Sequence, residues 1–419
     1  MTSDIKDDVA PAPLMDRGDV RVTHEAGASG AIRSFLSRVR SGDLGSLPVV
    51  VGLVIIWTVF ESLNPVFLSS DNLANLLFDC STVGVISLGI VCILIVGEID
   101  LSVGSLSGFA SAMVGVLWVN QGWPAWLAIA AAVSVGGLIG SLYALLFNRV
   151  GMPSFVSTLS GLLAILGLQL YILGAAGSIN LPYGSPLVNF GQILVMPHSV
   201  AYALAALPGL VTFATGVRAI VHRRQANLSS QSLGTLLVRA VAITVALELV
   251  VFYLNQARGV PWMFGLFVGL VMAMSYSLTR TKWGRSMTAV GGNREAARRA
   301  GINVRLIYTS AFALCSMFAA AGGVLSAARL ASASIQAGTG DVNLNAIAAA
   351  VIGGTSLFGG RGNAYSALLG IIVIQSIASG LTLIDLSSSL RYMITGAVLA
   401  VAVIVDSLAR RSRVSHGRA

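Results

Sequence analysis

Charge is scarce in this chain of 419 residues: Asp, Glu, Lys and Arg make up 10% of it, against about 25% in soluble domains. With 55% apolar or aromatic residues and a mean hydropathy of +0.83, it lacks the polar surface of a soluble protein and the low hydrophobicity that disorder requires. Lysine is almost missing. A phosphate-cradling loop needs Gly directly before Lys, but Lys6 follows Ile5 and Lys282 follows Thr281, so this chain has no standard site for ATP hydrolysis. The three cysteines, Cys80, Cys92 and Cys315, lie in apolar stretches without a Cys-x-x-Cys, which reads as buried small hydrophobes rather than a disulfide or zinc site. Four scattered histidines offer no metal constellation, and no Ser/His/Asp or Cys/His set has supporting context. The chain reads as a non-enzyme with no cofactor of its own.

What it has in abundance is long apolar runs. Residues 47–63, 77–97, 102–118, 124–147, 154–177, 199–221, 236–254, 261–278, 307–327, 343–359, 364–384 and 391–408 are candidate spans. The fold class is therefore an all-α membrane protein, a polytopic bundle of about 10–12 transmembrane helices. The lower count applies if residues 77–118 or 328–362 contain broken or re-entrant segments. Gly makes up 46 residues, and pairs such as Gly136/Gly140 and Gly265/Gly269 suit close helix packing. Ahead of the first run, residues 1–46 read as a mobile cytoplasmic tail whose stretch 32–40 suits a basic surface helix. Residues 47–408 form the transmembrane domain, and 409–419 a basic cytoplasmic tail.

The net charge of +9 would suit nucleic acid only as a patch on a folded surface. Here the basic residues stand in short segments between apolar runs. With both termini inside, 23 of the 26 fall on the cytoplasmic side, leaving Arg258, Arg329 and Arg391 outside. No nucleic-acid partner is implied; the lipid bilayer is.

Four motifs interrupt the runs. Gly97-Glu98-Ile99-Asp100-Leu101-Ser102-Val103-Gly104-Ser105 places two carboxylates between apolar stretches. Asp100 or Ser102 suits a helix cap, and a broken helix lining a route or gate is compatible with that. In the segment 279–306, Asn293 suits an N-cap, Glu295 the first turn and Gly301 the C′ position of a short helix carrying Ala296 and Ala297. Caps at both ends and an Ala-Ala face point to docking on a cytoplasmic partner. Residues 341–363 are rich in Ala and Gly, and the glycines after Val351 argue against one straight helix. Aligning Gly97 with Gly353 also pairs Leu101 with Leu357 and Gly104 with Gly360, a trace of an internal repeat. Residues 148–159 form a tight inside turn with Arg149 and Pro153. Glu248 is an isolated mid-span carboxylate, open to a proton-relay, protonated or paired reading.

Together these motifs resemble the membrane permease subunits of bacterial ABC importers for monosaccharides, the ribose and xylose type. Residues 97–105 look like that family's Gly-x-Ile-Asp-Leu-Ser signature, 288–303 its coupling segment, 345–362 its late Ala/Gly-rich signature and 151–159 a fourth family stretch. The apparent extra pair of spans around 199–254 looks more like the longer xylose-type members. Glu98 stands where many relatives have Gly, and Asn343 where an acid is usual. The resemblance implies a homodimeric pore in the bacterial cytoplasmic (inner) membrane for uptake of a monosaccharide such as xylose or ribose. It implies an ATP-binding ABC subunit on the cytoplasmic side, which would use the ATP, and a periplasmic sugar-binding protein outside. It further implies an ATPase-coupling element of Gly291, Gly292, Asn293, Arg294, Glu295, Ala296, Ala297 and Gly301, with Glu98, Asp100, Ser102 and Asn345 near the route or its gate. A proton-coupled secondary transporter of a small polar solute is the alternative, motivated by Glu98, Asp100 and Glu248.

Overall fold

The computed structural model describes residues 47–387, 389–391, 393–397, 400 and 404. Both terminal tails, 1–46 and 409–419, and most of the twelfth candidate span lie outside the described residues. Among the described residues, nine helices are long and apolar enough to cross a membrane, and two apolar helices are shorter. Two compact units are present, one built from 45–196 and 254–419, the other containing 197–253.

The larger unit is organised around two helices with little contact to the outside. After α1 (Leu47–Leu63), α2 (Ser70–Ile95) starts where the Ser69 side chain accepts from the Asn72 N–H. Its apolar residues from Val85 to Val96 are almost fully buried. It ends where Gly97 turns left-handed at φ +83°, a conformation that favours glycine. α3 (Val103–Val114) continues as a π-helical turn, Gly115–Asn120, and α4 (Ala125–Leu145) and α5 (Ser154–Leu173) follow. Strand β1 (Ser178–Asn180) and the short α6 (Pro186–Gln192) complete the first part. Pro153 stands just ahead of α5 as expected of an initiating proline.

After α7 (His198–Gln225) and α8 (Leu233–Leu254) of the other unit, the second part begins with α9 (Trp262–Arg280). It continues through α10 (Lys282–Gly292), α11 (Arg294–Arg299) and α12 (Val304–Leu330). Then come β2 (Ser332–Ser334), α13 (Val342–Ile352) and α14 (Tyr365–Leu383). α12 is the other central helix. A Cβ on Gly140 would fall on the Phe312 carbonyl, and one on Gly136 within 2.8 Å of Ala320 and the Ser316 carbonyl, so α4 and α12 pack backbone to backbone. The companion pair differs: nothing lies within 4 Å of a Cβ on Gly269, and Gly265 meets only the Met196 side chain. That pair leaves room rather than making a close helix contact.

Three expectations change in detail. The tenth candidate span, 343–359, is instead the 11-residue α13 followed by an irregular segment, because glycines 353, 354, 359, 360 and 362 cannot sustain a helix. α10 was not foreseen within the coupling segment; it makes Gly291 and Gly292 helical residues. The chain is also not wholly helical, since β1 and β2 pair antiparallel, with Ile179 opposite Ala333. At the positions aligned as a repeat, Gly97 has φ +83° while Gly353 has φ −69°. The two segments differ in conformation at the glycine that anchors the alignment.

In the smaller unit, α7 (His198–Gln225) and α8 (Leu233–Leu254) correspond to the additional pair of spans. A Cβ on Gly209 would meet the Thr244 hydroxyl and the Ala240 carbonyl, and Gly216 faces Leu236. Glu248 is half-buried on α8.

Candidate functional site

Three segments distant in sequence converge at the basic end of the larger unit. The Gly360 N–H donates to the Ile95 carbonyl at 2.9 Å, so the irregular segment after α13 is fastened to the end of α2. A Cβ on Gly291 would collide with that carbonyl, and one on Gly359 would come within 2.8 Å of both the Gly291 carbonyl and the Gly97 Cα. The junction therefore joins the end of α2, the end of α10 and the irregular segment after α13 with almost no side-chain volume. The Gly97 and Gly360 motifs are physical neighbours.

α11 hangs from this junction. Asn293 is extended (φ −158°, ψ 103°), and its Oδ1 accepts from the Ala296 N–H at 2.9 Å. Gly301 takes the left-handed conformation at φ +82° and closes the other end. Glu295 accepts from Arg298 at 2.8 Å and lies 3.4 Å from Arg299. The Arg298 guanidinium, with smaller help from Arg299 and Arg294, holds the Glu295 carboxyl below its ordinary value. Arg294 stacks over Phe147 at 5.5 Å and Tyr308 at 5.3 Å, tying α11 to the π-helical turn Leu146–Val150 that continues α4 and to α12. The Ala-Ala face is divided: Ala297 is buried in the chain's own core and Ala296 is exposed. The exposed residues of α11 are therefore Arg294, Glu295, Ala296, Arg298 and Arg299.

Between α2 and α3 the chain turns back into the bundle. Glu98 is half-buried; burial pushes its carboxyl above the usual range, opposed by the Ser154 hydroxyl and Arg294. Asp100 and Ser102 are fully buried. Asp100 Oδ1 accepts from the Ser102 N–H at 2.8 Å and from its hydroxyl at 2.7 Å. Ser102 precedes α3 but makes no side-chain cap bond, so the carboxylate organises the turn rather than capping the helix directly. Asn343 donates to the Leu101 carbonyl at 2.9 Å and so links the start of α13 to this turn.

Asn345 lies elsewhere. It donates to Asp341 at 2.9 Å and lines a cavity with Asp341, Thr382 and Arg391. Glu98, Asp100 and Ser102 do not border it. Of the four residues assigned to a route or gate, Asn345 is the one that lines this cavity.

Sequence reasoning missed a second cavity, of about 240 Å³, at the end of the larger unit opposite the basic one. It is walled by Asn72, Asn75 and Asp79 of α2 and Gln375, Ser379 and Thr382 of α14. A signal was present in the residues: the polar positions recur at i, i+3, i+7 on α2 and at i, i+4, i+7 on α14, each a single helix face. Arg329 pairs with Asp79 at 2.9 Å. Arg258 donates to Asn75 at 2.8 Å, and both arginines stack on Phe78. Arg391 donates to Thr382 at 3.2 Å. The three basic residues that violate the charge bias thus all brace the surroundings of these cavities.

Comparisons with known proteins agree with this architecture. The family described as the permease component of the branched-chain amino acid transport system matches residues 72–403. The xylose transport system permease protein XylH of Escherichia coli strain K12 is 34% identical over 377 residues, covering 90% of this chain and 95% of that protein. XylH of Haemophilus influenzae is 30% identical over 88% of this chain and 98% of its own length. The ribose import permease protein RbsC of E. coli strain K12 is 29% identical over 85% and 92% respectively. No solved structure matches. A match over most of the membrane domain, in a chain whose helices are long enough to span a bilayer, places it: the chain belongs to this family of transport-system permease components, membrane proteins of the bacterial inner membrane.

Proposed function

We propose that the chain is the permease subunit of an ATP-driven importer of a monosaccharide such as xylose or ribose. Two copies form the pore, a cytoplasmic ATPase subunit supplies the energy, and a periplasmic binding protein delivers the sugar. The observation that carries this reading is the capped, exposed α11 held at the junction of Ile95, Gly291 and Gly360. A push on α11 would be transmitted through backbone contact to α2 and to the irregular segment after α13. The excess of basic residues at that end supports its assignment to the cytoplasm, and the opposite end is then the outer one. The printed names of the xylose and ribose relatives support the substrate class. The chain itself needs no cofactor, and ATP is used by its partner.

Reconstitution tests the reading. Proteoliposomes holding the chain with the ATPase and binding protein encoded beside it should accumulate D-xylose or D-ribose only when ATP is supplied inside the equivalent cytoplasmic compartment. Uptake that continues without ATP and collapses with a protonophore would replace this reading with the proton-coupled transporter.

A further inference from the structure

The cavity between α2 and α14 has a composition unusual for a membrane span. Counting 1.5 Å per residue from the start of α2, Asp79 lies roughly 13 Å below the helix end. By the same measure Gln375 lies roughly 12 Å from the end of α14, whereas Asn75 and Ser379 lie nearer the helix ends and Asn72 and Thr382 within the terminal turns. A carboxylate and an amide at the greater depth are costly unless they meet protein or water. Part of that need is met internally. Asn72 Nδ2 donates to the Phe67 carbonyl at 2.7 Å and Gln375 Nε2 to the Asp79 carbonyl at 3.2 Å. Ser379 donates to Asn72 Oδ1 at 3.2 Å, while Asn75 Oδ1 takes both arginines. Among the described residues, no hydrogen bond uses Asn75 Nδ2, Gln375 Oε1 or Asp79 Oδ2. The internal bonds hold the wall in place and leave a donor and two acceptors for the cavity.

The charge pattern narrows what fits. Among the described residues Asp79 is the only ionisable one on the wall, and Arg329, which does not line the cavity, pairs with it. Among the described residues no guanidinium or ammonium lines the cavity, which leaves the carboxylate of an amino acid without a partner on this wall. Amide and hydroxyl groups instead match hydroxyls, which donate and accept at once. The volume of about 240 Å³ is roughly eight times the ~30 Å³ share of one liquid water, enough for a small solute. Thr382 and Ala378 also border the Asn345 cavity, so polar space continues around α14.

We propose that the cavity walled by Asn72, Asn75, Asp79, Gln375, Ser379 and Thr382 is an outward-facing transit site for a neutral polyhydroxylated solute. The proposal rests on the importer reading and supplies the point at which the pore itself meets the sugar.

The test uses full-length Ser379→Cys and Asn75→Cys chains, each assembled with the ATPase and binding protein in proteoliposomes. A membrane-impermeant thiol reagent is added from the outer side. Cys80, Cys92 and Cys315 are fully buried, so background labelling is low. During turnover, D-xylose or D-ribose should slow labelling at least fivefold, and L-valine should not. Asn75→Leu and Gln375→Leu should cut sugar uptake more than tenfold while assembling with the ATPase at wild-type yield. The site is overturned if sugar leaves the labelling rate unchanged while uptake proceeds, if the engineered thiols do not react from outside, or if both Leu variants transport normally. Protection by L-valine alone would overturn the solute class. A wild-type complex that takes up no monosaccharide would instead remove the importer reading, and the proposal with it.

Discussion

The Gly360 N–H and the Ile95 carbonyl meet at 2.9 Å, and a Cβ on Gly291 would land on the same carbonyl. One hydrogen bond thus marks where three segments touch without side chains between them. Gly291→Val is expected to force the segments apart. Overpacking of a tight site costs about 1–3 kcal/mol, and here the obstacle is backbone, which yields less than a side chain. Thermal melting of the purified chain should show a clear loss of stability, whereas Gly292→Ala, with open space around its Cβ, should melt like wild type. Equal melting of the two variants would show that the junction does not bear on stability.

Asp100 supplies a second test, because its two partners sit on one residue. Asp100→Ala strands the buried Ser102 N–H and hydroxyl, at about 1–3 kcal/mol for an unsatisfied buried group. Asp100→Asn keeps an oxygen at the accepting position. The expected order of stability is wild type and Asn together, with Ala well below, read by thermal melting and by membrane yield. An Asn variant as damaged as the Ala variant would mean that the negative charge itself matters.

Much of this was legible in the sequence. Long apolar runs cannot hide, and Asn293 and Gly301 act where their capping chemistry places them, since caps depend on a few adjacent residues. Contacts across the fold were less visible. Nothing in the spacing of Gly97, Gly291 and Gly360 says that they touch, because each glycine is equally suited to a local turn. Likewise Asn72, Asn75 and Asp79 on α2 and Gln375, Ser379 and Thr382 on α14 each form a polar stripe along one helix face; only the packing of α2 against α14 turns the two stripes into one wall. The Ala296–Ala297 pair read as one docking face, but a helix turns about 100° per residue, so Ala297 points into the core while Ala296 does not.

The two glycines that end α13 separate crowding from backbone strain. A Cβ on Gly353 would strike the Ser366 backbone, whereas one on Gly354 meets open space but sits at φ +106°. Gly353→Leu is therefore expected to abolish stable membrane expression. Gly354→Ala should lose only about 1–2 kcal/mol, the scale of left-handed strain in a residue with a Cβ. Immunoblots of membrane fractions and melting of the purified chains check both, and normal expression of Gly353→Leu would contradict the packing at Ser366.

The α11 element makes predictions that distinguish shape from charge. Removing the Asn293 side chain loses one cap bond, worth ~1 kcal/mol, and six residues cannot keep a helix by themselves. Asn293→Ala should therefore fray α11 and lower ATP-driven uptake severalfold, with the membrane level of the chain unchanged because little of α11 is buried. Glu295 acts differently. Its carboxyl is held below the ordinary value by Arg298, so the folded state favours the ionised form. That contribution is complete above the ordinary carboxylate range and fades as the pH falls through the lowered value. The pairs are exposed, and such pairs are weak and screened by salt. Glu295→Gln should thus lower the melting temperature slightly and evenly between pH 6 and 8, where the pairing is complete. It should converge with wild type once the pH falls below the lowered value, so that the acid limb of the profile flattens. Glu295→Arg adds a repulsion to Arg294, Arg298 and Arg299 and, on the importer reading proposed above, should impair uptake more than either. The measurement is uptake and co-purification of the ATPase for all three variants. If Glu295→Arg retained both at wild-type levels, α11 would not be the surface through which the ATPase acts.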